Sequence, residues 1–432
     1  MFICDNISIN QNGNLTFANL DVTALAKKYG TPLYLLDENK VRDNCKKYVD
    51  AFAKYFPALS RPLFASKALS FKKIYEIVGS EDMGIDVVSS GELYTALRAG
   101  FDVKNAYFHG NNKTDADISF AMDSGVGYFV VDNVDELMAI SDEAKRRNTT
   151  QKILVRLTPG IDPHTHKAIS TGKVDSKFGV AVETGQAREF VGKVLGLGNI
   201  ELCGFHCHIG SQIFEAKPFI DAAKIMLTFI AEMKSVYGYE ASELNLGGGF
   251  AVRYLESDPE IDIEKNIAEL AKVINEKCAE LGIAVPKILM EPGRSIVADA
   301  GMTIYTVGGT KVIPGFKNYV SVDGGMPDNP RYALYSSPYT AMIANKATLE
   351  RDFRCTIAGR CCESGDLLQE NVALPRPERG DILAVFTTGA YNYSMASNYN
   401  RLPRPPIVVI KDGAADVALR RESFEDLTRN EI

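Results

Sequence analysis

Short apolar runs alternate with longer amphipathic segments along the first two thirds of the chain. The apolar runs predict eight strands, at residues 63–66, 84–88, 105–109, 128–132, 152–157, 201–208, 243–247 and 287–291. The segments between them predict helices at 89–99, 134–147, 216–236 and 264–281, and a further helix at 38–54 precedes the first strand. The last three of the four have apolar residues at i, i+3, i+4 and i+7, which places those residues on one helical face. Ser89 or Ser90 is the predicted N-cap of the helix at 89–99.

Eight strands that alternate with helices or helix-length gaps favour an α/β fold, a parallel (β/α)8 barrel of the TIM type. An open, doubly wound parallel sheet is the alternative that this pattern allows. The interval after the fifth strand, residues 158–200, is long and contains Gly160, Pro163, Gly172 and Gly179. We interpret it as a loop over the barrel mouth followed by one helix, because long loops in compact domains are often functional.

The pattern changes after about residue 292, where short strand-like runs are separated by Gly, Pro and Asp. These runs are at 303–307, 319–323, 354–358, 382–386 and 407–410. No long amphipathic helix follows until the polar C-terminus, so this part predicts a second, all-β domain. The predicted division is a barrel at 32–286 and a β-rich domain formed by 1–31 and 287–432.

Composition and charge exclude several classes of protein. Of the 432 residues, 46% are hydrophobic and 24% are charged, which is typical of a globular chain. Forty-eight basic and fifty-five acidic side chains give a net charge of −7, so neither nucleic acid nor an anionic membrane is an expected partner. No apolar stretch is long enough to span a membrane. The first ten residues, MFICDNISIN, lack the basic and apolar regions of a secretion signal, and the eight scattered cysteines suit a reducing cytoplasm.

Reactive or polar residues stand at the ends of the predicted barrel strands, where the active site of such a barrel is built. In strand order they are Lys67, Asp86, His109, Arg156, His208 with Gly210 and Ser211, the glycines Gly247, Gly248 and Gly249, and the segment Glu291, Pro292, Gly293 and Arg294. Packing of a hydrophobic core would not place so many polar groups at one rim.

A lysine, a glycine cluster and an arginine at one rim indicate a phosphate-bearing cofactor. Lys67 has only small and apolar neighbours, so it is either a solvated ammonium at a strand end or an amine that forms a Schiff base. The glycines at 247–249 allow backbone amides to approach a phosphate, and Arg294 and Ser211 could add contacts. Together these features favour pyridoxal phosphate, with Glu291 near its ring nitrogen.

The segment CGFHCH at 203–208 resembles a metal-binding cluster, but strand alternation argues against one. His206 and His208 are predicted to point to one face, and Cys203 and Cys207 to the other. We therefore predict no metal site, and His208 could instead stack on a cofactor ring. Two further histidines, His164 and His166, lie in the long loop, where solvent exposure is the simpler interpretation.

The β-rich part contains three segments whose side chains could take part in catalysis or substrate binding. In Cys361-Cys362-Glu363-Ser364-Gly365-Asp366, a turn-like setting would leave a thiol near the surface, where it can transfer a proton. Arg331 and Tyr335 follow Asp323-Gly324-Gly325 and could bind a carboxylate. Tyr391 lies in a loop rich in glycine and asparagine.

Taken in order, these motifs resemble the diaminopimelate decarboxylases, which belong to the alanine-racemase-like fold type of pyridoxal-phosphate enzymes. The resemblance extends almost from end to end, through YGTPLYLLDE, FASKA, HIGSQ, GGGF, EPGR, DGGMPDNPRYALY, CESGD and GAYNYSMASNYN. Each motif is weak alone, but their joint occurrence is specific, and CESGD with HIGSQ separates this family from ornithine-type decarboxylases. ISTG and KFG in the long loop also resemble the family.

The resemblance implies a role for each of these residues. Lys67 and Cys362 would be catalytic, with Lys67 holding the cofactor and Cys362 returning a proton from the second subunit of a homodimer. The implied cofactor-binding residues are Lys67, Asp86, His208, Ser211, Gly247, Gly248, Gly249, Glu291, Pro292, Gly293, Arg294 and Tyr391. The implied substrate-binding residues are Arg294, Arg331, Tyr335, Glu363 and Tyr391. The implied reaction converts meso-2,6-diaminopimelate to L-lysine and CO2.

Other activities of the same fold type remain as alternatives. The chain could decarboxylate arginine, ornithine or carboxynorspermidine, or it could be a racemase, although a racemase needs a second base opposite the lysine. A non-catalytic protein that binds pyridoxal phosphate is a further alternative. Such proteins tend to lose the lysine, the cross-subunit cysteine or the β domain, and here Lys67, Cys362 and the β-rich segment are present.

Overall fold

The structure is a computed structural model that describes residues 2–161 and 176–432. The strands are β1 (Ile7–Ile9), β2 (Leu15–Phe17), β3 (Leu20–Asp21), β4 (Leu33–Asp37), β5 (Arg61–Ala65), β6 (Gly84–Val87), β7 (Ala106–Phe108), β8 (Tyr128–Val131), β9 (Gln151–Thr158), β10 (Val180–Ala181), β11 (Ile200–His206), β12 (Glu243–Asn245), β13 (Lys287–Met290), β14 (Gly301–Ile313), β15 (Lys317–Val322), β16 (Ala341–Ile343), β17 (Phe353–Ala358), β18 (Leu367–Leu374), β19 (Ile382–Phe386), β20 (Ile407–Lys411) and β21 (Ala414–Leu419). The helices are α1 (Val22–Tyr29), α2 (Glu38–Tyr55), α3 (Lys72–Ser80), α4 (Ser90–Arg98), α5 (Asp115–Asp123), α6 (Val134–Arg146), α7 (Gln186–Leu195), α8 (Lys217–Tyr237), α9 (Ile263–Leu281), α10 (Arg294–Val297), α11 (Arg331–Tyr335) and α12 (Phe424–Thr428).

Eight parallel strands close into a barrel, which confirms the predicted fold class. The strands pair in the order β5, β6, β7, β8, β9, β11, β12 and β13, and β13 pairs with β5 to complete the circle. This closure excludes the open doubly wound sheet. Each of the eight predicted strands overlaps a barrel strand, because runs that are buried on both faces stand out as continuous apolar segments.

The barrel helices begin where the sequence provides caps. Ser89 caps α4, its side chain accepting a hydrogen bond from the amide of Glu92 at 3.2 Å. Asn133 and Asp262 cap α6 and α9 in the same way. The predicted helices at 38–54, 89–99, 134–147, 216–236 and 264–281 correspond to α2, α4, α6, α8 and α9.

The interior of the barrel corrects one prediction for the segment CGFHCH. Cys203 packs with Leu63, Tyr107, Val130, Leu154 and Leu289, which belong to five other barrel strands, so its side chain points inward. His206 also points inward, since its ring lies 4.7 Å from that of His109. Strict alternation would put positions 203 and 206 on opposite faces, but the register of β11 against β9 shifts between Leu202 and Gly204. The extra residue at this irregularity turns both side chains inward.

The rest of the chain forms a second unit built on a mixed sheet, in which β15 pairs with β17 and β4 with β20 in parallel and the other strand pairs are antiparallel. Its sheet has the order β18, β17, β15, β14, β4, β20 and β21, and β19 pairs with both β14 and β16. The five predicted strands of this part correspond to β14, β15, β17, β19 and β20. Its core joins the N-terminal residues Leu15 and Phe17 to Met302, Phe386 and Val408 from the sheet.

The boundaries between the two units differ from the predicted edges at 32 and 286. The barrel unit comprises Asn44–Ala251 and Glu260–Gly293, and the sheet unit comprises Met1–Asp43, Val252–Pro259 and Arg294–Ile432. Strand β4 lies beyond the predicted edge at 32 but pairs with β14 and β20 of the sheet. Strand β13 lies beyond the edge at 286 but is the eighth barrel strand. Strand pairing therefore sets the boundaries of the two units, and the change in the sequence pattern does not locate them.

In its described residues, the long interval after β9 contains β10 and then α7, which corresponds to the predicted helix. His164, His166 and the ISTG segment lie outside the described residues, and so does most of the predicted loop. None of the helices that the structure describes is both long enough and apolar enough to cross a membrane.

Replacing Gly204 with alanine should destabilise the barrel. A Cβ at this position would lie 1.8 Å from the backbone oxygen of Glu243 on the neighbouring strand, a clash that only backbone movement can relieve. We expect a loss of at least about 1–3 kcal/mol of unfolding free energy, measured as a lower urea midpoint by circular dichroism. Gly198→Ala is the matched control, because a Cβ there meets no atom within 4 Å. Equal midpoints for the two variants would contradict the close approach of β11 and β12.

Candidate active site

The carboxyl ends of the barrel strands bring the predicted barrel residues to one end of the barrel. Lys67 follows β5, Asp86 lies in β6, His208 and Ser211 follow β11, the three glycines follow β12, and Glu291, Pro292 and Gly293 follow β13. Because all eight strands are parallel, these side chains share one rim.

A tight turn presents Lys67 at this rim. Residues Ser66–Ala68 form a single 3-10 turn directly after β5, closed by a hydrogen bond from the amide of Leu69 to the oxygen of Ser66 at 3.1 Å. Ser66 and Ala68 are buried, whereas the side chain of Lys67 is exposed. The turn therefore anchors the backbone and leaves the amine accessible.

Asp86 is a buried carboxyl group close to that amine. Burial and the nearby charge of Glu291 raise the pKa of Asp86 well above its usual range, and the charge of Lys67 opposes this only in part. Among the described residues, its Oδ1 atom has no hydrogen-bond partner. Asp86 thus contributes a polar atom that the described residues leave unsatisfied.

The glycine turn after β12 leaves room for close approaches of the backbone. A Cβ on Gly248 would lie 2.0 Å from the backbone oxygen of Glu291, so no other residue fits there. The amide of Gly247 donates to Asn245 Oδ1 at 2.9 Å, and that of Gly248 donates to His208 Nδ1 at 3.1 Å. Within the described residues, the amide of Gly249 has no acceptor, so it is the donor that this turn can offer to a phosphate.

This bond from Gly248 also fixes the state of His208. Since Nδ1 accepts a hydrogen bond, the imidazole is neutral and carries its proton on Nε2. Burial, together with the positive charges of Lys67 and Arg156, lowers the pKa of His208 well below its usual range. A neutral ring held in one orientation suits stacking against a planar cofactor.

Glu291 is buried and surrounded by nitrogen atoms. Its Oε1 accepts a hydrogen bond from Asn245 Nδ2 at 2.8 Å and lies 2.9 Å from His109 Nε2. Its Oε2 lies 3.2 Å from His206 Nε2. Burial opposes ionisation of this carboxyl group, but the imidazole groups beside it and the hydrogen bonds that it accepts keep its pKa well below the usual range. Burial likewise lowers the pKa of His206 to about 4 and also lowers that of His109, so both rings are neutral at pH 7.

The same three side chains resemble a metal-binding set. Ligand atoms of His109, His206 and Glu291 lie within 4.8 Å of one another, and zinc accepts both residue types. However, the carboxylate already receives hydrogen bonds from Asn245 and His206. We therefore interpret the cluster as a hydrogen-bonded network rather than as a metal site.

The sheet unit holds two buried arginines around one tyrosine. Arg294 Nη1 donates to the hydroxyl of Tyr254 at 2.6 Å, and the guanidinium of Arg331 lies 5.0 Å from the centre of the Tyr254 ring. Arg331 Nη1 also donates to Tyr339 at 2.9 Å, and Arg294 stacks on Tyr391 at 4.8 Å. In residues 2–161 and 176–432, no carboxylate forms an ion pair with Arg331. This cluster of positive charge can accept an anionic group.

The remaining predicted residues of the sheet unit are more exposed than the two arginines. Cys362 and Glu363 are exposed, and the amide of Cys362 donates to Asn400 Oδ1 at 2.7 Å. Tyr335 is half-buried at the end of α11.

Burial distinguishes the two adjacent cysteines. Cys361 is partly buried, and burial together with the charge of Asp366 raises the pKa of its thiol to about 12. Asp366 accepts hydrogen bonds from the amides of Cys361 at 2.7 Å and Met326 at 2.6 Å, which fixes the base of the loop. Cys362 is consequently held outward with its side chain accessible.

Several site residues were not predicted from sequence. Tyr254 and Tyr339 flank the arginines, and Asn245 and His206 contact Glu291, but no role was assigned to any of the four. Asn245 could have been found, since it ends the strand two residues before the glycine turn. Tyr254 had no local signal, because only the fold brings it to Arg294.

The barrel residues fit the pyridoxal phosphate implied by the sequence resemblance. An accessible lysine amine, an anionic carboxylate, a neutral imidazole and a glycine turn with an open amide match its aldehyde, ring nitrogen, ring face and phosphate. Asp86 Oδ1, which has no hydrogen-bond partner among the described residues, is a further polar atom that could contact a bound cofactor. Each feature is observed in the barrel unit alone.

Comparisons with known proteins agree with this chemistry. Residues 38–298 match the family described as pyridoxal-dependent decarboxylase, pyridoxal binding domain. The diaminopimelate decarboxylase of Halalkalibacterium halodurans is 44% identical, over 99% of this chain and 98% of that protein. That of Bacillus subtilis is 42% identical, over 100% of this chain and 98% of that protein. The crystal structure of diaminopimelate decarboxylase from M. jannaschii with L-lysine matches 100% of this chain and 99% of its own, with a TM-score of 0.92 and 33% identity.

The neutral state of His206 predicts a pH dependence of stability. Its pKa is about 4 in the folded chain and 6.5 as the reference value for an unfolded one, so only the unfolded chain takes up this proton between pH 6.5 and 5. The contribution of His206 to stability is therefore complete above pH 6.5 and falls as the pH decreases. The expected loss by pH 5 is about 2 kcal/mol.

Comparison with His206→Gln isolates this contribution. Glutamine can still donate to Glu291 but does not titrate, so the variant should lose less stability than the wild type between pH 7 and 5. Urea midpoints of both proteins at several pH values measure the difference. Parallel pH profiles would show that His206 is protonated in the folded protein.

Proposed function

This chain belongs to the diaminopimelate decarboxylases within the family of pyridoxal-dependent decarboxylases, and we propose how its residues divide the reaction. The enzyme decarboxylates meso-2,6-diaminopimelate to L-lysine and CO2, the step that yields lysine in its biosynthesis. The observation that carries this conclusion is the 44% identity to a diaminopimelate decarboxylase across both units of the chain.

The barrel residues bind the cofactor. Lys67 Nζ would hold pyridoxal phosphate covalently, Glu291 would pair with its ring nitrogen, His208 would stack on its ring, and Ser211 and the glycine turn would bind its phosphate. Bound pyridoxal phosphate supplies an electron sink for the electron pair that remains when the substrate carboxylate leaves as CO2. Asp86, Pro292, Gly293, Arg294 and Tyr391 complete the proposed cofactor contacts.

The arginine cluster selects the substrate. Diaminopimelate carries a second amino-acid group at its far end, and we assign Arg294 and Arg331 to its carboxylate and Glu363 to its ammonium. Tyr335 and Tyr391 add polar contacts. A substrate without the distal carboxylate would leave the buried charge of Arg331 without an anion, which costs about 1–3 kcal/mol or more in binding. This loss would favour diaminopimelate over simpler amino acids.

Cys362 returns the proton that replaces the lost carboxylate. Its accessible thiol, held outward by the anchored loop, suits proton donation at a neighbouring site. We assign it to the active site of a second copy of the chain, so the enzyme is a homodimer with shared active sites. The reducing cytoplasm is the proposed location, because all eight cysteines are free thiols and Cys362 must stay reduced.

Turnover of meso-2,6-diaminopimelate tests the proposed reaction. With added pyridoxal phosphate, the protein should release lysine and CO2 in equal amounts, and Lys67→Ala should abolish both this activity and the absorbance of the covalently held cofactor. Lys73→Ala is a matched control, since Lys73 lies on α3 outside the site. Release of CO2 from arginine or ornithine instead would contradict the substrate assignment. Retention of the cofactor band in Lys67→Ala would contradict the role of the lysine.

Mixing two inactive variants tests the shared active site. Lys67→Ala and Cys362→Ala should each show little activity alone. If Cys362 acts across the dimer, a refolded equimolar mixture should regain about a quarter of wild-type activity, since half the dimers are mixed and each of these has one complete site. A mixture as inactive as its components would place both residues in the same subunit's site.

A further inference from the structure

The carboxylate of Glu291 is held by side chains from strands on both sides of the barrel. Asn245 ends β12 and His206 ends β11, so both come from strands close to β13, after which Glu291 stands. His109 follows β7, which is separated from β13 by β5 and β6. Its ring nevertheless reaches the same carboxylate across the barrel interior, with Nε2 2.9 Å from Oε1, a close polar contact that does not have the geometry of a hydrogen bond.

These contacts determine where the protons lie. An ionised carboxylate only accepts hydrogen bonds, so His206 Nε2 donates to Oε2 over their 3.2 Å separation. A neutral His206 then has a bare Nδ1, and this buried atom indeed has no hydrogen-bond partner among the described residues. The imidazole therefore orients Glu291 without contributing a positive charge.

The neutrality of the donors matters for what Glu291 can do. A positively charged imidazolium would cancel the negative charge of the carboxylate, whereas a neutral N–H group stabilises that charge and leaves it uncompensated. In a site of low dielectric constant, an uncompensated carboxylate strongly favours a cation beside it. The protonated ring nitrogen of a pyridine is such a cation.

We propose that His109, His206 and Asn245 are positioning residues that hold Glu291 as an oriented anion and thereby enforce protonation of the cofactor's ring nitrogen. The inference rests on the proposed function, since it takes pyridoxal phosphate as the cofactor. It extends that function by assigning a role to three side chains that do not contact the substrate. The test removes the N–H donor of His206 rather than that of Asn245. Asn245 also accepts a hydrogen bond from the amide of Gly247, so replacing it would disturb the glycine turn as well.

The test compares binding of two cofactors that differ only at the ring nitrogen. The apo forms of the wild type, His206→Leu and His109→Leu are titrated with pyridoxal 5′-phosphate and with its 1-deaza analogue, in which carbon replaces that nitrogen. Both compounds carry the same aldehyde and phosphate, so the ratio of their dissociation constants reports on the ring nitrogen alone. This readout needs no turnover.

The wild type should prefer pyridoxal phosphate by about tenfold or more, the usual strength of a hydrogen bond between charged groups. The two leucine variants should lose most of this preference. His206→Gln should retain it, because the glutamine amide can donate to Glu291 from a similar position. His109→Gln should also retain it, because the amide keeps a polar N–H group beside the carboxylate. Tyr107→Phe is the matched control: it removes a buried hydroxyl from the same strand that precedes His109, and should keep the wild-type ratio.

A leucine variant that binds both compounds more weakly but with the wild-type ratio would show a merely structural role and overturn the proposal. Equal ratios for the leucine and glutamine variants would do the same. If the leucine variants do not fold, His206→Asn provides the contrast, since its shorter side chain cannot reach Glu291, and a wild-type ratio for it contradicts the inference. Release of lysine from diaminopimelate, measured separately, tests the proposed function independently of the ratio.

Discussion

The pairing of β13 with β5 closes the barrel, and the position of every barrel residue in the site depends on it. Only two residue pairs make this contact, Leu289 with Arg61 and Met290 with Pro62. The amide of Ala65 extends it by donating to the oxygen of Pro292 at 3.1 Å. This last bond joins the turn that carries Lys67 to the segment that carries Glu291. The amine and the carboxylate that serve the cofactor are thus fixed relative to each other by the seam itself.

Electrostatics at this rim depend on burial more than on the number of charges. Burial keeps His208 and His206 neutral, which fixes the protons of each imidazole on one nitrogen. Asp86 is buried too, but it has fewer hydrogen-bond donors around it than Glu291 and lies near the charge of Glu291, so the pKa values of these two carboxyl groups shift in opposite directions. Two acidic groups on one rim can therefore differ in protonation state at neutral pH, because their hydrogen-bond partners and neighbouring charges differ.

Periodicity in the sequence was sufficient for the architecture but not for the details of the site. All eight barrel strands were predicted, because strands buried on both faces appear as apolar runs of limited length. The orientation of Cys203 was wrong, since alternation cannot reveal the irregularity of β11. Tyr254 was not predicted, because its contact with Arg294 joins residues that are 40 positions apart. Roles assigned from the family resemblance, such as those of Tyr335 and Glu363, stay predictions.

In the part of the chain that the structure describes, single buried polar atoms at the carboxyl end of the barrel lack the hydrogen bonds that Glu243 has at the amino end. At the amino end, Glu243 receives hydrogen bonds from Tyr107 at 3.0 Å and Tyr128 at 3.2 Å and forms an ion pair with Lys287 at 3.0 Å. At the carboxyl end, Asp86 Oδ1 and His206 Nδ1 are buried without such partners among the described residues.

Each unsatisfied buried group costs about 1–3 kcal/mol, so selection for stability alone would favour apolar side chains at the carboxyl end. Glu243 shows that a buried carboxylate of this barrel can have several hydrogen-bond partners. The unsatisfied atom of Asp86 therefore favours a ligand at the carboxyl end, and a ligand with an aldehyde and a basic ring nitrogen fits Lys67 and Glu291 there.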